Sequence, residues 1–240
     1  MNLARRALAE FAGTAALVAI VVGSGIMAAD LSRDVGVQLL ANSLATAAGL
    51  AVLIVILGPV SGAHFNPVVS VAAWVLTRRD ADPAVRGREV AAYVPAQIAG
   101  AIAGAVLANA MFALPAVQIS ARDRSAPHLL LGEVVATAGL IVVIFALTRQ
   151  GRAALAPVAV GGYIGAAYWF TSSTSFANPA VTLGRAFTDT FAGIAPASVP
   201  GFIAAQLAGA ALGGLLLVLL YPNSPQHVSG SNYQAADQPR

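Results

Sequence analysis

The stretch Ser61-Gly62-Ala63-His64-Phe65-Asn66-Pro67-Val68 runs from a small polar loop through an Asn-Pro pair into an apolar segment, and Asn178-Pro179-Ala180 repeats that pattern in the second half of the chain. Alone, an Asn-Pro pair signals only a turn. Pro is tolerated in the first turn of a helix, because the N–H it lacks would be unpaired there anyway. Asn ahead of it is a good N-cap and still has an amide NH2 to offer a solute. Two such starts, one in each half of an otherwise apolar chain, predict two half-helices. They begin inside a membrane and turn their positive ends toward the middle of a pore.

The rest of the composition agrees with a membrane bundle. Of 240 residues, 58% are hydrophobic and 10% charged, with a mean hydropathy of +0.78. A soluble core does not need that much apolar sequence. Without cysteine, neither a disulfide framework nor a thiolate metal site can form, and no cofactor is expected. Six stretches are long enough to cross about 30 Å of hydrocarbon: 7–28, 37–58, 90–111, 129–148, 154–171 and 200–221. Residues 1–222 read as one channel domain, and the polar residues 223–240 as a disordered cytoplasmic tail. The first span has the look of a signal peptide, but the repeat described next argues that it is retained. Every basic residue is Arg. Arg5, Arg6, Arg78, Arg79, Arg86, Arg88, Arg149, Arg152 and Arg240 fall on one side of the spans, against Arg33, Arg122, Arg124 and Arg185 on the other. That bias predicts membrane orientation with both termini cytoplasmic, and argues against nucleic acid as the partner of this basic chain.

The halves, about 5–111 and 127–222, repeat one another. Ala9-Glu10-Phe11-Ala12-Gly13-Thr14 reads against Gly132-Glu133-Val134-Val135-Ala136-Thr137, and Gln97-Ile98-Ala99-Gly100-Ala101 against Gln206-Leu207-Ala208-Gly209-Ala210. Matches in the same order along both halves mark an internal repeat. Each half carries three spans, so the second must be inverted relative to the first, as in channels and transporters. Gly100 with Gly104, and Gly209 with Gly213, are small-residue pairs expected to let backbones approach where the halves meet. Glu10 and Glu133 are the only acids within the six spans. One reading makes them proton-coupling sites. The favoured reading makes them structural buried acids that accept hydrogen bonds from the backbone of the two re-entrant loops.

The segment Ser61–Val68, Asn178-Pro179-Ala180, the repeated Glu-bearing first span and the Gln-x-x-Gly third span together resemble the aquaporin (major intrinsic protein) family. The resemblance covers about residues 5–222. It implies an all-α membrane protein: an aquaporin-like right-handed bundle of six transmembrane helices plus two re-entrant half-helices, built as an inverted repeat. It further implies one pore per subunit, usually in a homotetramer among membrane lipids, passing water or small neutral solutes. Asn66, Pro67, Val68, Asn178, Pro179 and Ala180 would form the pore centre. The carbonyls around Gly62, Ala63 and His64, and around Thr174, Ser175 and Phe176, would form a ladder of acceptors. His64 fits a pore-lining position, with a plain loop histidine as the alternative.

Departures from the family bear on the solute. Arg usually follows the second Asn-Pro-Ala at the outer constriction; here the residue is Val181. By the family's spacing the other filter positions fall at Thr46, Ala166 and Ser175. One insertion in the loop would bring in Tyr168, Phe170 or Phe176 instead. As aligned, Thr46, Ala166, Ser175 and Val181 make a wide, uncharged filter. Arg185 stands one helical turn beyond Val181 by i,i+4 spacing. It reads either as a cation in the outer vestibule paired with Asp189, or as a solvated residue at a helix end.

The run Asn178–Leu183 with Asp189–Ile194 looks like the bacterial branch that accompanies arsenic-resistance genes. That implies passage of arsenite and methylated arsenicals beside water and glycerol, in a bacterial inner membrane. An ordinary water channel and an ion-coupled secondary transporter are the alternatives, and a closed junction protein is a third. No nucleophile–base or metal-ligand cluster suggests an enzyme.

Overall fold

In a computed structural model, residues 2–78 and 84–221 are described; the call of a disordered tail at 223–240, and Arg79, lie outside them. Every regular element among the described residues is a helix. Six long elements have the length and apolarity to cross a membrane: α1 (Leu3–Leu31), α2 (Val35–Ser61), α4 (Gly87–Met111), α5 (Pro127–Arg149), α6 (Ala156–Phe170) together with the 3-10 turn Ala153–Leu155 that leads into it, and α8 (Val199–Leu220). Two short ones, α3 (Pro67–Thr77) and α7 (Pro179–Gly184), start at the two Asn-Pro pairs. The six predicted spans are all present, each extended or shifted by no more than a few residues. Sequence periodicity could not have fixed these ends, since the helices carry apolar residues on every side. Leu44, Val52, Val158 and Leu219 remain exposed on the described surface, as befits a surface solvated by lipid rather than water.

Helix starts follow from local chemistry. Asn2 accepts from Arg5 N at 3.0 Å, and Asp34 from Gly36 N at 2.7 Å. α2 ends at Gly62, whose φ of 95° is the left-handed cap that glycine adopts without cost. The two half-helices are capped alike. Asn66 Oδ1 accepts from Val68 N, and Asn178 Oδ1 from Ala180 N and Val181 N.

The repeat is visible in the packing. α1 packs chiefly on α4, and α5 on α8. At those crossings a Cβ on Gly100 or Gly104 would run into the carbonyls of Phe11 and Ala15, and one on Gly209 or Gly213 into those of Val134 and Ala138. The glycine pairs therefore close the first span of each repeat against its third. The expectation that they join the two halves is corrected. The reason is that α4 and α8 turn their small faces inward to their own repeat, while the halves meet along α2 and α6 and through α7 on α4.

Candidate pore

The loops ahead of α3 and α7 are pinned in matching ways. Glu10, fully buried, accepts from Ser61 Oγ (2.6 Å), His64 N (3.0 Å), Phe65 N (2.6 Å) and Gln97 Nε2 (2.8 Å). Glu133, equally buried, accepts from Phe176 N (2.8 Å), Ala177 N (2.9 Å) and Gln206 Nε2 (2.6 Å). Each glutamine also donates to the next half-helix, Gln97 to Ser70 Oγ and Gln206 to Thr182 Oγ1. Irregular backbone at membrane depth is tolerated when protein groups satisfy it, and these carboxylates supply the acceptors.

So held, both loops adopt the same unusual backbone. Gly62, Ala63 and Phe65 have positive φ, and so do Thr174, Ser175 and Ala177, the same positions of the second repeat. Left-handed backbone costs a non-glycine residue about 1 kcal/mol or more. Five such residues with side chains, at positions matched across the repeat, mark loops whose carbonyl directions are specified. The carbonyls of Gly62, Ala63, His64, Thr174, Ser175 and Phe176 accept no hydrogen bond among the described residues, whereas those of Phe65 and Ala177 are engaged. Asn178 Nδ2 donates to Phe65 O at 2.8 Å, and Asn66 Nδ2 to Ala177 O at 2.7 Å. One N–H of each amide thus ties the halves together, and the second is left for the cavity that both asparagines line.

That cavity, of about 610 Å3, runs from Thr77, Thr148 and Ala153 past His64, Asn66 and Asn178 to Tyr168, Val181 and Arg185. Its walls are mostly aliphatic, with Leu17 and Val21 of α1 matched by Leu140 and Ile144 of α5. Of the residues expected to line it, Thr46, Gly62, Ala63, His64, Asn66, Ser175, Phe176, Asn178, Val181 and Arg185 do. His64 is held by Ser70 Oγ, 3.0 Å from Nδ1, and stands edge-on to Tyr93.

Others are placed elsewhere. Pro67, Val68, Pro179 and Ala180 are buried but do not line the cavity. They sit in the first turns of α3 and α7, which pack together, and of the set expected at the pore centre only the asparagines line the cavity. Thr174 has the expected backbone but is also off the cavity wall. Ala166 faces outward and is exposed, as is Phe170. On α6 the inward face is instead Ile164 and Tyr168, four residues apart. An α-helix turns 100° per residue, which puts Ala166 far round from both. Tyr168 Oη donates to Thr46 Oγ1 at 3.2 Å, so on this side a phenol stands beside Thr46 in the cavity wall where Ala166 was expected.

Arg185 lines the cavity as a cation, but without the partner expected for it. It is only 3% exposed, not solvated. It does not pair with Asp189, whose carboxylate accepts from Ala121 N at 3.0 Å. Its Nε donates to Ala192 O, and its guanidinium lies 3.4 Å from the centre of the Phe176 ring. This end of the cavity therefore carries aromatic rings, hydroxyls and a charge. Arg124, noted in the sequence only for its side of the membrane, reaches the same ring at 5.0 Å. Burial, with the neighbouring charge of Arg122, lowers its pKa to about 10, so it stays protonated at neutral pH.

Comparisons with known proteins agree with this arrangement. The family model described as Major intrinsic protein matches residues 1–175. Aquaglyceroporin AqpS of Rhizobium meliloti (strain 1021) is 53% identical over 228 residues, covering 93% of this chain and 94% of its own. The glycerol uptake facilitator protein of Pseudomonas aeruginosa is 32% identical, covering 83% and 79%. The X-ray structure of the aquaglyceroporin from Plasmodium falciparum superposes with a TM-score of 0.69 at 20% identity, over 90% of this chain and 96% of that one, a likeness of fold. Twin capped half-helices, buried glutamates that shape their loops, and a relative of more than half identity along nearly the whole chain place this integral membrane protein in the major intrinsic protein family, a family of channels and not of enzymes.

Proposed function

We propose that the chain is a passive aquaglyceroporin-type channel passing water, glycerol and undissociated arsenous acid, with methylated arsenicals in the same solute class. The observation that carries this reading is the filter end of the cavity. Tyr168 and Phe176 offer apolar faces, while Thr46 and Ser175 offer hydroxyls and Arg185 a fixed donor. A small neutral polyol has that same split, carbon on one side and oxygens on the other. Val181 in place of a filter Arg leaves the adjoining wall short and uncharged. The name of the AqpS relative, with its 53% identity, supports the polyol class over a water-only pore. The filter is thus read as narrower and more polar than Thr46, Ala166, Ser175 and Val181 alone would make it.

Passage is downhill. The two buried glutamates, the groups that would serve coupling, have their oxygens occupied by backbone and glutamine donors. The chain works as a homotetramer, each subunit with its own pore, in a bacterial inner membrane with both termini cytoplasmic. The Arg bias between loops supports that orientation. Stopped-flow light scattering of proteoliposomes, comparing water, glycerol and arsenite entry, tests the assignment. Glycerol and arsenite entry well above protein-free vesicles is expected; water entry alone would return the chain to the water-selective class.

A further inference from the structure

At the Arg185 end of the cavity three arginines are held by three successive carbonyls of one loop. Arg122 Nη1 donates to Phe191 O at 2.9 Å, Arg185 Nε to Ala192 O, and Arg124 Nε to Gly193 O at 2.9 Å. Arg185 and Arg124 share the Phe176 ring. No carboxylate answers these charges among the described residues. Asp123 is engaged by Ser125 Oγ and Ser198 Oγ, Asp189 by Ala121 N and Ser120 Oγ, and Glu133 by the loop that it shapes. The one ion pair described, Arg6 with Glu89, belongs to other elements, α1 and α4.

Arg185 is the exceptional member. It is almost wholly buried, it lines the cavity, and its two terminal nitrogens bond to nothing among the described residues. In the same lining, one residue before Phe176, on whose ring Arg185 stacks, Ser175 Oγ is buried and likewise without a partner. A buried guanidinium without a counter-charge is costly, and a carbonyl and an aromatic face offset that cost only in part. Its free edge, with two parallel N–H donors, matches the two oxygens of a carboxylate.

We propose that this end of the cavity is a binding site for a small carboxylate anion, gripped end-on by the two terminal nitrogens of Arg185, with Ser175 Oγ as a further donor and the Arg124 charge behind. The anion sits in the solute path, so its binding slows the passage of neutral solutes. This goes beyond the proposed transport of uncharged molecules and depends on that reading only for the flux measurement.

Acetate is the probe, titrated against chloride at equal ionic strength, so that general salt effects cancel. Two readouts are taken. One is the thermal unfolding midpoint of the purified full chain in detergent; the other is glycerol efflux from proteoliposomes with acetate equal on both sides. A saturable rise in midpoint and a saturable slowing of glycerol are expected with acetate. Arg185→Gln should weaken both by roughly tenfold or more, the loss of a charged bidentate contact. Arg122→Gln, away from the cavity, should leave the acetate response unchanged. If Arg185→Gln fails to fold, Ser175→Ala serves in its place, with a smaller weakening expected. Acetate acting no differently from chloride, or equally on wild type and the Arg185 or Ser175 variant, overturns the site. Should glycerol fail to permeate at all, the channel reading falls, while the thermal titration still decides the anion site.

Discussion

The side-chain amide of Asn66 lies 2.7 Å from the carbonyl of Ala177, so the cap of one half-helix is bonded to the loop that leads into the other. Asn178 returns the bond to Phe65 at 2.8 Å. Each asparagine therefore has three tasks on one short side chain. Its oxygen caps its own helix, one N–H locks the two repeats together, and the other N–H is left to the cavity.

Substitution by Asp separates these tasks. The carboxylate keeps the cap but loses the donor, and sets a negative oxygen against the opposite carbonyl. Asn66→Asp and Asn178→Asp should each destabilise the protein by about 1–3 kcal/mol, the range for an unpaired buried polar group. The two effects should be similar, because the bonds are related by the repeat. The double variant also places negative charge where both half-helix dipoles point, and should leak small cations if it assembles. Thermal unfolding in detergent and cation flux in vesicles measure the two effects. A double variant of normal stability, with no leak, would remove the asparagines from the pore.

Val181→Arg tests the filter. The new guanidinium would enter the cavity one turn from Arg185, adding both bulk and charge beside Tyr168. Glycerol and arsenite entry should fall by tenfold or so, about 1.4 kcal/mol of added barrier, while water entry falls much less. Equal loss of all three would indicate a collapsed fold rather than a narrowed filter.

Glu10 and Glu133 are predicted not to couple transport to ions. Glycerol flux should follow its own gradient and be indifferent to a superimposed pH or Na+ gradient. Uphill accumulation driven by either ion would overturn this prediction and restore the carboxylates as coupling groups.

Much of this molecule was legible in its sequence. The half-helix starts were readable because Asn and Pro each have one strong local reason to stand at a helix N-terminus. The repeat was readable because Glu10 with Glu133 and Gln97 with Gln206 recur in order. Partnerships between elements were harder. The glycine pairs showed that backbones approach closely, but not which backbones, and the structure gives Phe11 and Val134 in the same repeat rather than a partner across halves. The pairing of Arg185 failed for a related reason: charge spacing along a helix ignores a loop carbonyl such as Ala192 that arrives from elsewhere. Arg124 offered no signal at all, since only folding brings it to Phe176.

Acid should act at the loop before α5. The Asp123 carboxyl is held below its ordinary value of 3.8 chiefly by the Ser125 hydroxyl, then by Ser198. A depressed carboxylate contributes stability that is present above its unfolded pKa and lost as pH falls through the folded one. Asp123→Asn should therefore lower the unfolding midpoint slightly near neutrality, where the ionised carboxylate contributes, and flatten its fall below about pH 4. The same slope in the variant and the wild type would show that this loop does not sense acid.

The register of α6 gives the sharpest comparison between sequence and structure. Family spacing points to Ala166 as the filter residue, whereas the fold turns Tyr168 inward and bonds it to Thr46. The two readings make opposite predictions. If Tyr168 walls the filter, Tyr168→Ala removes a ring from the narrow end and frees the Thr46 hydroxyl. Glycerol and larger polyols should then enter faster relative to water. Ala166→Leu, on the outward face, should leave the glycerol-to-water ratio unaltered, although it could change how the subunit packs with neighbours. Because both measurements are ratios within one preparation, differences in the amount of protein inserted cancel. A ratio that moves with Ala166 and not with Tyr168 would mean that α6 sits half a turn away from the orientation described, and the amphipathic filter built from Tyr168, Phe176, Thr46 and Ser175 would fall with it.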